Sequence, residues 1–167
     1  MQYPESRKIR HTPEIVPVAH APCSIDGFIQ IIYIEIMEIL LDASAIIAVI
    51  VDEPESDIVI NCTKGAVTVS PNIVSFEIAN SLTKMMKKGI ISNVEKMINL
   101  IKIYQRIPIK LVEINLEKSL EIAWNNKIYA YDAFYLETAK RLNLPLLTFD
   151  NKMRKIGKEI GITILGE

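Results

Sequence analysis

From Met37 onward, short apolar runs alternate with longer stretches of helical period, and this alternation most limits the folds open to the chain. Strands are predicted at residues 39–41, 66–69, 111–114, 146–149 and 162–165. Helices are predicted at 44–51, from Pro54 or Glu55 to Gly65, from Pro71 or Asn72 to Lys88, at 93–106, from an Asn115 N-cap through Asn126, at 132–142 and at 151–159. Apolar strands alternating with helices build a parallel sheet covered on both faces, because each parallel neighbour needs a crossover and a helix supplies it. The expected class is α/β: a single domain over residues 37–167, with a central, mostly parallel sheet of about four to five strands and helices on both faces. No internal repeat or low-complexity tract interrupts it.

A chain of 167 residues, half of them apolar, can bury one full core. The net charge of −1 excludes a global basic field, so a polyanionic partner has to be met by local cations or by metal. Two cysteines, Cys23 and Cys62, make no disulfide framework, and a reducing compartment is the default. Phe28 to Leu41 is apolar, but it is short for a bilayer span and carries Gln30, Glu35 and Glu38. No signal-peptide layout precedes it, and the expected location is cytoplasmic. Residues 1–36 differ from the rest. They hold four of the eight prolines, both histidines and no helical period before Ile29. Two readings of this extension stay open: a disordered or untranslated stretch upstream of a true start at Met37, or a real appendage with residues 28–36 as a strand or dimer contact.

Four acidic residues stand out. Asp42 follows Leu40-Leu41, Asp150 follows Leu147-Thr148-Phe149, Asp132 follows Tyr131 ahead of Ala133-Phe134, and Glu77 lies within Ser75-Phe76-Glu77-Ile78. The crevice of an open parallel sheet lies outside the carboxyl ends of its strands. Asp42 and Asp150 should project there, and Asp132 and Glu77 can reach the same rim. Taken singly, Asp42, Asp132 and Asp150 read equally well as helix N-caps. Together, four carboxylates in one pocket repel each other and titrate as a set unless a cation neutralises them. Hard oxygen donors suit Mg²⁺ or Mn²⁺.

Elimination narrows the chemistry. From Met37 on there is no histidine and one cysteine, which excludes Ser-His-Asp and Cys-His catalysis and Cys/His zinc sites in that region. His20-Ala-Pro-Cys23 is a chance spacing rather than a zinc motif. No phosphate loop or dinucleotide fingerprint occurs.

The pieces Leu-Leu-Asp-Ala-Ser-Ala at 40–45, Ser-Phe-Glu-Ile-Ala-Asn-Ser-Leu at 75–82, Tyr-Asp-Ala-Phe-Tyr-Leu-Glu-Thr-Ala at 131–139 and Leu-Leu-Thr-Phe-Asp-Asn-Lys at 146–152 carry a resemblance. In order and rough spacing, the chain from about Met37 to Leu165 resembles the PIN-domain nucleases, in particular the VapC-like toxins of type II toxin–antitoxin pairs. The resemblance implies Asp42, Glu77, Asp132 and Asp150 as the catalytic and metal-holding set, with Mg²⁺ or Mn²⁺ as cofactor. It implies Ser44 and Thr148 as small hydroxyl residues that support the site. The implied activity is endoribonucleolytic cleavage of single-stranded or loop RNA, with a cognate antitoxin and a homodimer as the implied assembly.

RNA has to approach an acidic pocket. Lys152, Arg154, Lys155 and Lys158 follow Asp150 and are candidates for flanking phosphates, as are Lys84, Lys87 and Lys88. Tyr129, Tyr131, Phe134 and Tyr135 are candidate base-stacking rings or core, and Met85 and Met86 beside Leu82 are a candidate partner groove or core. Three other functions compete with the toxin reading: an antitoxin-independent processing nuclease, a catalytically silent RNA- or protein-binding module, and a small-molecule phosphohydrolase.

Overall fold

The computed structural model describes residues 36–166. The expectations for residues 1–35, including the proline-rich extension, the 28–36 strand, the histidines and Cys23, lie outside the described residues. Among those described, the elements run β1 (Glu38–Leu41), α1 (Ala43–Val51), α2 (Ser56–Thr63), β2 (Val67–Pro71), α3 (Val74–Lys87), α4 (Val94–Tyr104), β3 (Ile109–Val112), α5 (Leu116–Asn126), α6 (Ala130–Leu142), β4 (Leu146–Leu147), α7 (Asn151–Glu159) and β5 (Ile164–Leu165). The strands form one sheet in the order β3-β2-β1-β4-β5, and every pairing is parallel. No helix among the described residues is long and apolar enough to cross a membrane.

β1 shows why the sheet needs cover on both sides. Ile39 and Leu41 pack into a cluster with Ile46, Ile50, Val59, Ile78, Leu82 and Leu100, drawn from α1 to α4. Leu40, pointing the other way, packs with Tyr135, Leu136, Met153 and Ile156 from α6 and α7. Leu147 and Leu146 split in the same manner. Period-two alternation thus divides an unbroken apolar run between two layers. Gly157 lets α7 lie close on β5: a Cβ there would come 2.7 Å from Ile164 Cδ1.

Several boundaries differ from expectation, each for a local reason. Pro71 ends β2 instead of opening a helix. It stands in register with Val112, and the next donor, Asn72 N–H, bonds the Val112 carbonyl, so pairing continues past the proline. β3 starts two residues early, at Ile109. An edge strand tolerates Lys110, whose Nζ lies 2.8 Å from Glu38 Oε1. β4 stops at Leu147, since Thr148 turns its hydroxyl to Asp42 and its carbonyl to Arg154. β5 starts at Ile164 because Ile162 N–H closes the end of α7 on the Gly157 carbonyl. α6 begins at Ala130 with Tyr129 as its N-cap residue, so Asp132 lies inside the first turn and does not precede the helix.

The strand order reverses between β1 and β4. From β1 the chain builds outward through β2 and β3, then returns to the other side of β1 for β4 and β5. Such a switch point splays the connections apart and leaves a crevice at the strand carboxyl ends. Asp42 follows β1 and Thr148 follows β4 directly at that point.

Candidate metal and nuclease site

Asp42 is 2 % exposed and caps α1, accepting the Ala45 N–H at 2.9 Å on Oδ1. Two hydroxyls fix its carboxylate. Thr148 Oγ1 donates to Oδ2 at 2.6 Å, and Ser44 Oγ lies 2.7 Å from Oδ1 and 2.9 Å from Oδ2. The direction of both donors is set from behind. Ser44 Oγ accepts the Phe149 N–H at 3.0 Å, and Thr148 Oγ1 accepts the Asp150 N–H at 3.1 Å. Each hydroxyl therefore ties Asp42 to the loop that carries Asp150. The backbone adds a further tie, Asp42 N–H to the Leu147 carbonyl at 3.2 Å.

Asp150 is the N-cap of α7, with Oδ1 accepting the Met153 N–H at 2.8 Å. Glu77 lies in the first turn of α3, and Asp132 in the first turn of α6, where the helix dipole favours negative charge. Tyr135 follows Asp132 by three residues on the same helical face. It is 2 % exposed, and its hydroxyl donates to Glu77 Oε2 in a short hydrogen bond. Burial, reinforced by the Glu77 charge, pushes the phenol far up, so it stays protonated and remains a donor. Tyr135 is part of the buried core, as one of its two expected roles has it, and also a partner of Glu77.

The electrostatics join all four acids. Burial raises the Asp42 pKa above its ordinary value of 3.8 despite three hydrogen bonds to the charged form, and Asp150 raises it further. Glu77 is raised by burial, lowered in part by the Tyr135 bond, and raised again by Asp42 and Asp132. Asp132 is raised by burial and by Asp150, with Lys152 opposing. Asp42–Glu77, Glu77–Asp132, Asp132–Asp150 and Asp150–Asp42 make a closed ring of repulsion.

Such a ring of hard oxygens fits a divalent cation. Among the described residues, no three His, Cys, Asp or Glu side chains stand close enough to chelate one ion together.

The cations divide. Lys152 and Lys155 are exposed on α7, and Lys152 Nζ donates to the Lys127 carbonyl at 2.9 Å. Arg154 is engaged in packing. Nε donates to the Thr148 carbonyl at 2.7 Å, Nη2 to the Gly166 carbonyl at 2.9 Å, and the guanidinium lies over the Phe149 ring. Lys84, seven residues after Glu77 on α3, offsets part of the Glu77 shift. Met85 and Met86 pack against the core.

The profile of the PIN domain family matches residues 39–159, most of the chain. The chain belongs to the PIN domain family. Similar solved structures agree with that assignment at the level of the fold. PAE2754 from Pyrobaculum aerophilum is 22% identical with a TM-score of 0.59, covering 78% of this chain and 90% of its own. VapBC2 from Rickettsia felis, bound to a DNA fragment from its promoter, is 16% identical with a TM-score of 0.54, covering 77% and 97%. VapC20 from Mycobacterium tuberculosis, a Sarcin-Ricin loop cleaving toxin, is 13% identical with a TM-score of 0.54, covering 71% and 95%. A comparison with curated proteins finds no match. Within this PIN domain Asp42 follows β1 and Asp150 caps α7 just after β4, while Asp132 and Glu77 lie in the first turns of α6 and α3.

Proposed function

We propose that this PIN domain is a Mg²⁺- or Mn²⁺-dependent endoribonuclease and acts as the toxin of a toxin–antitoxin pair. The observation that carries the nuclease reading is membership of the PIN domain family, with Asp42 and Asp150 capping the helices that follow β1 and β4 at the switch point. The toxin reading leans on two fold relatives, one a VapBC pair and one a loop-cleaving toxin.

In this account Asp42, Asp132 and Asp150 hold the ion, directly or through water. Ser44 and Thr148 hold Asp42 in one orientation. Glu77, steadied by the Tyr135 hydroxyl, orients the attacking water. A bound divalent ion supplies positive charge to the scissile phosphate and acidifies a coordinated water. Lys152 and Lys155 contact flanking phosphates, which set position rather than sequence. A cognate antitoxin neutralises the enzyme, and the active form is a homodimer in the cytoplasm.

The test is cleavage of a mixed RNA pool by purified protein with Mg²⁺, with Mn²⁺ and with EDTA, beside Asp132→Asn. Cleavage that requires metal and disappears in the variant supports the proposal. Cleavage that persists in EDTA or in Asp132→Asn removes the carboxylates from the mechanism. Co-purification of the neighbouring gene product, with loss of activity, tests the toxin reading separately.

A further inference from the structure

A groove of about 970 Å³ lies where α5 hands over to α6, lined by Leu120, Ala123, Trp124, Lys127, Ile128 and Tyr129 among others. Its two rings are left uncovered by the fold: Trp124 is 85 % exposed and Tyr129 82 %. An exposed tryptophan and tyrosine in one concavity are unusual on a surface, because both rings bury large apolar areas when given a partner.

The surroundings indicate which partner. Tyr129 is the N-cap residue of α6, whose first turn carries Asp132. Lys152, in the first turn of α7 just beyond Asp150, reaches across to the Lys127 carbonyl at 2.9 Å. Lys127 thus lines the groove, and its bond from Lys152 ties the groove to the helix that Asp150 caps. Rings to stack on, with ammonium groups beside them, form the arrangement that holds a single strand: bases have faces for the rings and phosphates have charge for the lysines. A protein helix would match the rings but not the line of cations leading to the acidic site.

We infer that this groove is the subsite for an unpaired nucleotide of the RNA substrate, next to the scissile phosphate, with Trp124 and Tyr129 as stacking platforms. The inference rests on the ribonuclease reading above. It makes the preferred substrate a single strand or loop, since a base within a duplex offers no free face.

Trp124 is the only tryptophan in the chain, so its emission reports the groove directly. The full chain carrying Asp132→Asn, in Mg²⁺, is titrated with a short unstructured RNA and with the duplex of the same sequence. Saturable quenching by the single strand and little by the duplex is expected. By fluorescence anisotropy of labelled RNA, Trp124→Ala and Tyr129→Ala should each weaken binding roughly 5- to 150-fold, the range that about 1–3 kcal/mol of stacking represents. Trp124→Phe should keep most of the affinity.

Quenching and ring dependence in a chain whose wild type never cleaves RNA would uphold the subsite and sink the nuclease reading. Metal-dependent cleavage with no quenching, and with KM unchanged in Trp124→Ala, would do the reverse. Equal binding of single strand and duplex overturns the inference. So does a concentration-dependent change in Trp124 emission without RNA, which would give the groove to a second copy of the chain.

Discussion

At the scale of single residues, the candidate site joins one buried carboxylate, Asp42, to three more open ones, and the partners of Asp42 are chosen one atom at a time. Thr148 is the clearest case. Its hydroxyl donates to Asp42 and accepts from Asp150 N–H, so one oxygen orients one acid and the loop of another. Thr148→Val keeps the shape and removes both bonds. It should lower metal affinity or cleavage about 10–100-fold, as loss of an orienting partner does, measured by Mn²⁺ titration and by RNA cleavage rate. Tyr135 acts on Glu77 in the same indirect way. Its hydrogen bond holds the Glu77 pKa lower than burial alone would leave it. In Tyr135→Phe the Glu77 carboxyl should rise further, and the acidic limb of the pH–rate profile should move to higher pH. An unmoved limb with a lower plateau would make Tyr135 merely structural. Asp42, Asp132 and Asp150 stand out in sequence because each lies where a strand or loop meets a helix, and Glu77 because it lies within a recognisable helical piece. Tyr135 was visible only as an aromatic, since its bond to Glu77 spans 58 positions and depends on how α3 and α6 meet.

Elements hold these residues in place through contacts that short-range pattern does not encode. Lys152, Arg154 and Lys155 look alike as cations after an acid, yet Arg154 spends its donors on two backbone carbonyls and stacks on Phe149. No local signal separates a cation that clamps a helix from one that faces solvent. α6 shows the same limit. It buries seven consecutive residues, Ala133 to Ala139, including Glu137 at 3 % exposure. Glu137 Oε1 meets Arg141 Nε at 2.8 Å, and Arg141 Nη2 also bonds the Glu113 carbonyl ahead of α5. Removing the cation leaves a buried carboxylate without its partner. Arg141→Met should therefore lower unfolding free energy by about 1–2 kcal/mol in denaturant titration, less than for a fully buried pair because Arg141 is partly solvated, whereas a loss below about 0.5 kcal/mol would show the pair to be dispensable. Helix and strand types were read correctly along the described chain. The ends shifted where a tertiary bond outweighed a local cue, as with Pro71 paired in register with Val112.

Across the whole molecule, the parallel order β3-β2-β1-β4-β5 sets a switch point beside Asp42, and the raised acids make stability depend on pH. The α/β class was legible because alternating apolar runs leave few other solutions; the strand order was not, since each two-residue strand, β4 and β5, carries almost no signal of its own. The sign of the pH effect follows from the shifts. Asp42, Glu77 and Asp132 are all raised in the folded chain, so folding takes up protons above the ordinary values of 3.8 and 4.5. Their contribution to metal-free stability is complete below those values and is lost as pH rises through the raised ones. On the proposed metal site, a cation bound among the acids should restore stability where they are charged. The decisive measurement is the melting temperature at pH 8 with EDTA and with saturating Mn²⁺, for wild type and Asp132→Asn. The wild type should melt higher with Mn²⁺, with a gain near 2.7 kcal/mol when the ion is at about 100 times its Kd. Asp132→Asn should match or exceed the wild type in EDTA and lose most of the gain. A wild type indifferent to Mn²⁺, or a variant that gains as much, would contradict a metal site built from these four carboxylates.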